Sequence, residues 1–128
     1  METLKKPAGI ARLNAVDRNS DQLYIADNGI YRNSHIVVMD LAGVVVWTFG
    51  SKGSELGQLS NLRGIALDAQ GNVLVADQSN SRVVVFKSDG SYLTHFATPM
   101  KVPQFVMVDS RSGSVLVSGD SASQVCMW

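Results

Sequence analysis

Residues 71–86 read GNVLVADQSNSRVVVF, and two weaker copies of this stretch lie elsewhere in the chain. Upstream, DQLYIADNGIYRNSHIVVM runs from Asp21 to Met39; downstream, GSVLVSGDSASQVCMW runs from Gly113 to Trp128. A repeat of this length is the mark of one supersecondary unit stacked on its neighbours. Each copy holds an apolar run (LYI, VLV and VLV), a polar loop, and a second apolar run (HIVVM, RVVVF and QVCMW). In front of each stands a further short run closed by an aspartate: NAVD at Asp17, IALD at Asp68 and VMVD at Asp109. The first two units go on through turns ending in Gly43 and Gly90 to a last run, VVVWTF or SYLTHF. Four short strands with turn signals between them make one unit.

The chemistry of the strands separates their places. Val83, Val84, Val85 and Phe86 are consecutive apolar residues, which predicts a strand buried on both faces. Ser91, Thr94 and His95 interrupt the fourth run, as expected of an outer edge. Gly64, Ile65 and Ala66 make the first run small, as expected where sheets converge on an axis. Radial packing of such sheets is a β-propeller, and a β-sandwich is the alternative that evenly spaced strands alone leave open. The expected fold is all-β, a partial propeller of about three four-stranded blades. Blade 1 is expected over about residues 8–50, blade 2 over 62–97 and an incomplete blade 3 over 103–128.

The chain has 128 residues, 11 basic against 11 acidic side chains, and a single cysteine, Cys126. Zero net charge leaves no global field to attract nucleic acid. One cysteine excludes an internal disulfide and a multi-cysteine zinc site, and fits a reducing compartment, the cytoplasm. METLKKPAGI lacks the apolar core of a signal peptide, and the apolar run at Val44–Trp47 is too short to span a membrane. No phosphate-binding glycine loop is present. Asp17, Asp68 and Asp109 suggest a ring of metal-binding carboxylates, but contexts such as DAQGN and DSRSG favour turn carboxylates that accept backbone hydrogen bonds. Asp27 and His35 suggest a catalytic pair, yet the next unit has Asp77 and Arg82, and arginine cannot act as a general base. His95 reads as a solvated edge residue and Cys126 as a small hydrophobe. The expectation is therefore no catalytic residue, no metal and no cofactor.

The stretch LRGIALDAQGNVLVADQSNSRVVVFKSDGSYLTHFA, residues 62–97, resembles an NHL repeat, and FGSKGSELGQL, residues 49–59, resembles the glycine-rich connection between such repeats. The first unit resembles it over residues 11–50. The third departs from it, with Ser118 and Gly119 where the others have Ala-Asp. The resemblance implies a six-bladed propeller of which this chain is half, similar to the C-terminal part of the NHL domain of tripartite-motif ubiquitin ligases. There the propeller binds protein substrates or RNA. The resemblance also implies that the ring is closed by a second copy, as a homodimer, or by the remainder of a larger propeller.

In such propellers the loops between strands two and three share a face with the connections between blades. That face is expected to collect residues 28–33, 51–63, 78–81, 98–104 and 120–123. Arg63 and Gln104 stand five places before Asp68 and Asp109, and Arg12 stands five places before Asp17. The three are expected in one register at the mouth of the central channel. The first unit carries a longer loop containing Tyr31 and Arg32, a pair able to stack on a base or anchor a protein interface. The candidate binding residues are Arg12, Tyr31, Arg32, Lys52, Arg63, Lys101 and Gln104. A protein substrate or adaptor is the expected partner, with single-stranded RNA as the alternative and a metal-dependent propeller hydrolase or lyase as a remoter one.

Overall fold

The structure, a computed structural model, describes residues 7–13, 22–28, 34–109, 111–119 and 123–126. It is built from antiparallel sheets. The first sheet has four strands in chain order: β1 (Pro7–Leu13), β2 (Gln22–Asp27), β3 (His35–Asp40) and β4 (Val45–Phe49). A short parallel pair, β5 (Ser51–Lys52) with β6 (Gln58–Leu59), forms the connection. The second sheet follows as β7 (Leu62–Leu67), β8 (Val73–Asp77), β9 (Arg82–Phe86) and β10 (Tyr92–Ala97), again ordered as in the chain. The third is β11 (Pro103–Val108), β12 (Val115–Gly119) and β13 (Ser123–Cys126).

The sheets pack face on face, and the middle one shows why its strands are apolar at successive positions. Val73, Val75, Val84 and Phe86 point one way, into a core shared with Tyr24, Ala26, Ile36 and Val38 of the first sheet. Leu74, Val83 and Val85 point the other way, against Val106, Val115 and Val117 of the third. Every residue of β8 and β9 is buried, as two covered faces require. The outer strand β10 instead alternates between half-buried and exposed residues. Extra residues at Val46 and Leu93 interrupt the outer pairings of the first two sheets, and such bulges blunt an edge against further pairing.

The turns are held by aspartates. Asp68 Oδ1 accepts the N–H groups of Gln70 and Asn72 at 3.0 and 2.8 Å. Asp109 Oδ1 accepts that of Arg111 at 3.0 Å, and Ser112 Oγ donates to its Oδ2 at 2.9 Å. Asp40 Oδ1 plays the same part for Ala42 and Val44. These carboxylates close tight turns, as Asp does when it bonds backbone two residues on. Asp17 lies outside the described residues.

The inner strands approach one another closely at Gly64. A Cβ there would stand 2.9 Å from both the Gln104 carbonyl oxygen and Phe105 Cα. The backbone of β11 occupies the space a side chain would need. The corresponding position in the third sheet is Phe105, which is 64% exposed, beside Met107 at 63%.

Gly64→Ala is expected to destabilise the fold by about 1–3 kcal/mol through overpacking. Phe105→Ser should change stability by no more than about 0.5 kcal/mol, as at other exposed positions. Urea unfolding of both variants checks the contrast, and equal effects would show that the inner strands are not in contact as described.

Candidate interaction face

Asp77 ends β8 and Arg82 begins β9, with the 3₁₀ turn Gln78–Asn80 between them. Arg82 Nε donates to Asp77 Oδ2 at 2.9 Å, and the two residues are 9% and 0% exposed. A buried ion pair is stable only when its remaining donors and acceptors are also used. Here Asp77 Oδ1 accepts the N–H of Ser60 at 2.7 Å, and Asn80 Nδ2 donates to Oδ2 at 2.9 Å. The other end of the guanidinium reaches the connection between sheets. Nη2 donates to the carbonyls of Gln58 and Glu55 at 2.8 and 3.1 Å. Asn80 Nδ2 also donates to the Gly53 carbonyl at 3.0 Å.

The first sheet makes the same connection with different groups. Asn28 Nδ2 donates to the Leu62 carbonyl at 2.9 Å, and Asn28 Oδ1 accepts the Leu62 N–H. The Asn61 N–H donates to Ser34 Oγ at 3.1 Å. Between the second and third sheets, Ser81 Oγ donates to the Lys101 carbonyl at 2.7 Å, and the Thr98 N–H donates to the Ser81 carbonyl at 3.1 Å. Loops β2–β3 and β8–β9 therefore share one end of the sheets with the connections 50–61 and 98–102. Arg82 and Asn28 were not singled out as tethers in the sequence. The recurrence of a polar cluster beside each inter-sheet connection was the available signal.

Of the candidate residues, Lys52 on β5, Arg63 on β7 and Lys101 before β11 lie at this end with exposed side chains, and Gln104 on β11 is half-buried. Arg63 Nε donates to Gln78 Oε1 at 3.4 Å, which orients the guanidinium without neutralising it. Tyr31 and Arg32 lie outside the described residues. Arg12 does not share the register of Arg63. It pairs with Leu23, whereas Leu62, the residue before Arg63, pairs with Asp77 at the opposite end of its strand. Gly9, Ile10 and Ala11 are the true counterparts of Gly64, Ile65 and Ala66, because Ile10 pairs Ile25 as Ile65 pairs Val75. More residues separate β1 from β2 than β7 from β8, so counting back from Asp17 misplaces Arg12 toward the loop-bearing end.

The electrostatics of this end are basic. Lys52, Arg63 and Lys101 are exposed there and form no salt bridge with a described residue, and Glu55 is the exposed acid among them. His35, at the place of Arg82, keeps its Nε2 4.0 Å from Asp27 Oδ2. Among the described residues no group of three or more His, Cys, Asp or Glu is arranged to hold a metal ion. No helix of the described residues is long and apolar enough to cross a membrane. At the opposite end, a hydrogen bond from the Arg111 N–H, and then one from the Ser112 hydroxyl, hold the Asp109 carboxyl below its usual range.

With this geometry, the fold is that of β-propeller blades, and residues 59–86 match the family model of the NHL repeat. The match runs from Leu59 at the end of the connection through β7, β8 and β9, so this part of the second sheet is similar to an NHL repeat. The chain is 45% identical over 49 residues to Protein lin-41 of Caenorhabditis elegans, covering 38% of this chain and 4% of that protein. It is 44% identical over 50 residues to the E3 ubiquitin-protein ligase TRIM71 of Rattus norvegicus, covering 39% and 6% respectively. Only a small part of these curated relatives is spanned. Among solved structures, a gluconolactonase from Xanthomonas campestris superposes with a TM-score of 0.69 at 20% identity, covering 98% of this chain and 38% of that one. The WD40 β-propeller domain of Doa1 gives 0.62 at 20% identity, covering 81% and 32%. At these identities the likeness is one of fold.

Arg82→Met should cost about 3–5 kcal/mol, because it strands the Asp77 carboxylate in the core. Arg63→Ala should cost no more than about 0.5 kcal/mol; thermal melts distinguish the two. The depressed folded-state value of Asp109 means that its stabilising contribution is present above about pH 4, the unfolded value, and is lost as pH falls through the folded value. Asp109→Asn should therefore flatten the acid limb of stability, measured as urea midpoints at about pH 5 and pH 3. An unchanged limb would remove Asp109 from the account.

Proposed function

We propose that this chain is a non-catalytic propeller module that recognises a protein through its loop-bearing end, with Lys52, Arg63, Lys101 and Gln104 as contact residues. The observation that carries this reading is the rigidity of that end. Its connections are pinned by the buried side chains of Asn28, Ser34 and Arg82, while three cations stand exposed on it without a salt bridge to a described residue. A fixed backbone lowers the ordering cost of binding, and unneutralised charge steers and selects a complementary partner. The similarity to TRIM71, whose name describes an E3 ubiquitin-protein ligase, supports a finer reading. In it, the module selects the substrate of a tripartite-motif-type ligase.

Single-stranded RNA is the competing ligand. Nonspecific single-strand binding uses aromatic platforms beside cations. The aromatic candidate of this end, Tyr31, lies outside the described residues, and it is the zero net charge of the chain that favours the protein.

The test is a crosslinking capture of bound proteins by the purified chain, quantified with and without ribonuclease. Charge reversal at Arg63 and Lys101 should reduce specific recovery by about tenfold or more, the loss of one or two charge-assisted contacts. Ribonuclease should leave it unchanged. Recovery that disappears with ribonuclease, together with oligonucleotide affinity falling steeply with salt, would replace the protein by RNA.

A further inference from the structure

Beside the first inter-sheet connection lies a cleft of about 290 Å³ lined by Ser34, His35, Thr48, Gly50, Ser51 and Lys52. We infer that this cleft binds an oxyanion, and that its ligand is a phosphoryl group carried on a side chain of the protein partner. The inference deepens the reading of the loop-bearing end and rests on it for the partner's class.

The lining is a set of donors. Thr48 and Ser51 contribute hydroxyls that make no hydrogen bond to a described residue, and the Lys52 ammonium forms no salt bridge with one. Ser34 is a fixed wall rather than a ligand group: its hydroxyl donates to Asn28 Oδ1 at 3.4 Å and accepts the Asn61 N–H at 3.1 Å. No carboxylate of the described residues lines the cleft. Asp27 is buried, with its Oδ2 4.0 Å from His35 Nε2. A phosphoryl group presents three acceptor oxygens and nearly two charges, and so matches two hydroxyls and a cation better than a carboxylate does.

The backbone that carries Ser51 and Lys52 is held in place before any ligand arrives. Lys52 pairs with Leu59 and Ser51 with Gln58 in the β5–β6 ladder. The Gln58 carbonyl is gripped in turn by Arg82. Gly50 has φ +89°, and a Cβ there would stand 3.1 Å from the Leu59 side chain. A left-handed turn without a side chain therefore delivers Ser51 to the rim.

The second sheet supplies the internal comparison. By the pairing of the outer strands, His95, Ala97, Thr98 and Pro99 stand where the first sheet has Thr48, Gly50, Ser51 and Lys52. Thr98 Oγ1 lies 2.8 Å from the Met100 carbonyl oxygen and 3.2 Å from that of Ser81, so its donor is spent. Proline replaces the cation. The same scaffold thus leaves its donors open in one sheet and consumed in the next.

The test is titration of the ¹⁵N-labelled chain with inorganic phosphate, a phosphoserine-containing peptide, acetate and oligouridylate. Phosphate and the phosphopeptide should shift the amides of Gly50, Ser51 and Lys52, and acetate should not. Lys52→Ala should weaken phosphopeptide binding about tenfold or more, and Thr48→Val by several-fold, as loss of hydrogen bonds to a charged group predicts. Lys87→Ala, remote on the β9–β10 turn, should not weaken it. Shifts indifferent to both Lys52→Ala and Thr48→Val, or equal shifts with acetate, overturn the site. Shifts with oligouridylate but none with the phosphopeptide overturn the protein-borne phosphoryl group. Capture dependent on Arg63 and Lys101 alongside a silent cleft overturns this inference alone and leaves the protein-recognition reading standing.

Discussion

The buried pair Asp77–Arg82 is the constraint on which the rest of the loop-bearing end depends. Two charges taken out of water are costly, and their mutual attraction alone seldom compensates. What stabilises this pair is that its spare atoms are consumed by the chain that connects two sheets: Ser60 on the carboxylate, Gln58 and Glu55 on the guanidinium. The electrostatic requirement of the pair thereby becomes a positional requirement on residues 54–60. Leu59 and Leu62, which flank this connection, are fully buried in the core between the first and second sheets. A polar clamp above and an apolar anchor below fix the spacing of neighbouring blades.

A second constraint acts at the inner edge. Sheets that converge leave least room between their innermost strands, and Gly64 meets this by omitting a side chain where the backbone of β11 passes. Farther out, the space between sheets is filled by larger groups, including Phe49, Phe86 and Trp47, whose rings contact at 4.9–5.2 Å. A bare backbone at an inner strand in the gap to the third sheet, and aromatic rings at the outer strands in the gap between the first and second, are what wedge-shaped packing requires. The third sheet departs from that arrangement on its open face, where Phe105 takes the place of the glycine.

Much of this was legible in the residues. Val83 to Phe86 could be read as a doubly covered strand because four consecutive apolar side chains must point both ways. Asp68 and Asp109 could be read as turn formers because their neighbours are turn residues. The position of Arg12 was not readable in the same way. NAVD and IALD look alike locally, but only strand pairing shows that Gly9–Ala11 is the counterpart of Gly64–Ala66. Tethers such as Asn28 to Leu62 join residues 34 positions apart, and no periodicity announces them. The cleft was hidden for the same reason, since Ser34 and Thr48 become neighbours only through the pairing of β3 with β4.

Repetition makes the function argument sharper than a single domain would allow. Where two sheets share a backbone plan, a difference between matched positions has fewer structural explanations. Arg82 and His35 occupy one such place: the arginine spans the gap to the connection before its sheet, whereas the imidazole lines the recess beside Gly50. Thr98 and Ser51 occupy another: the threonine closes back onto its own loop, whereas the serine leaves its hydroxyl facing that recess. The second difference leaves at the surface of the first sheet a donor that its counterpart in the second sheet consumes. Exposed donors cost the fold little, because water satisfies them, and they stay open to a ligand. Their concentration at a basic end is what a binding surface requires: donors not committed within the fold, open to a partner that supplies the acceptors.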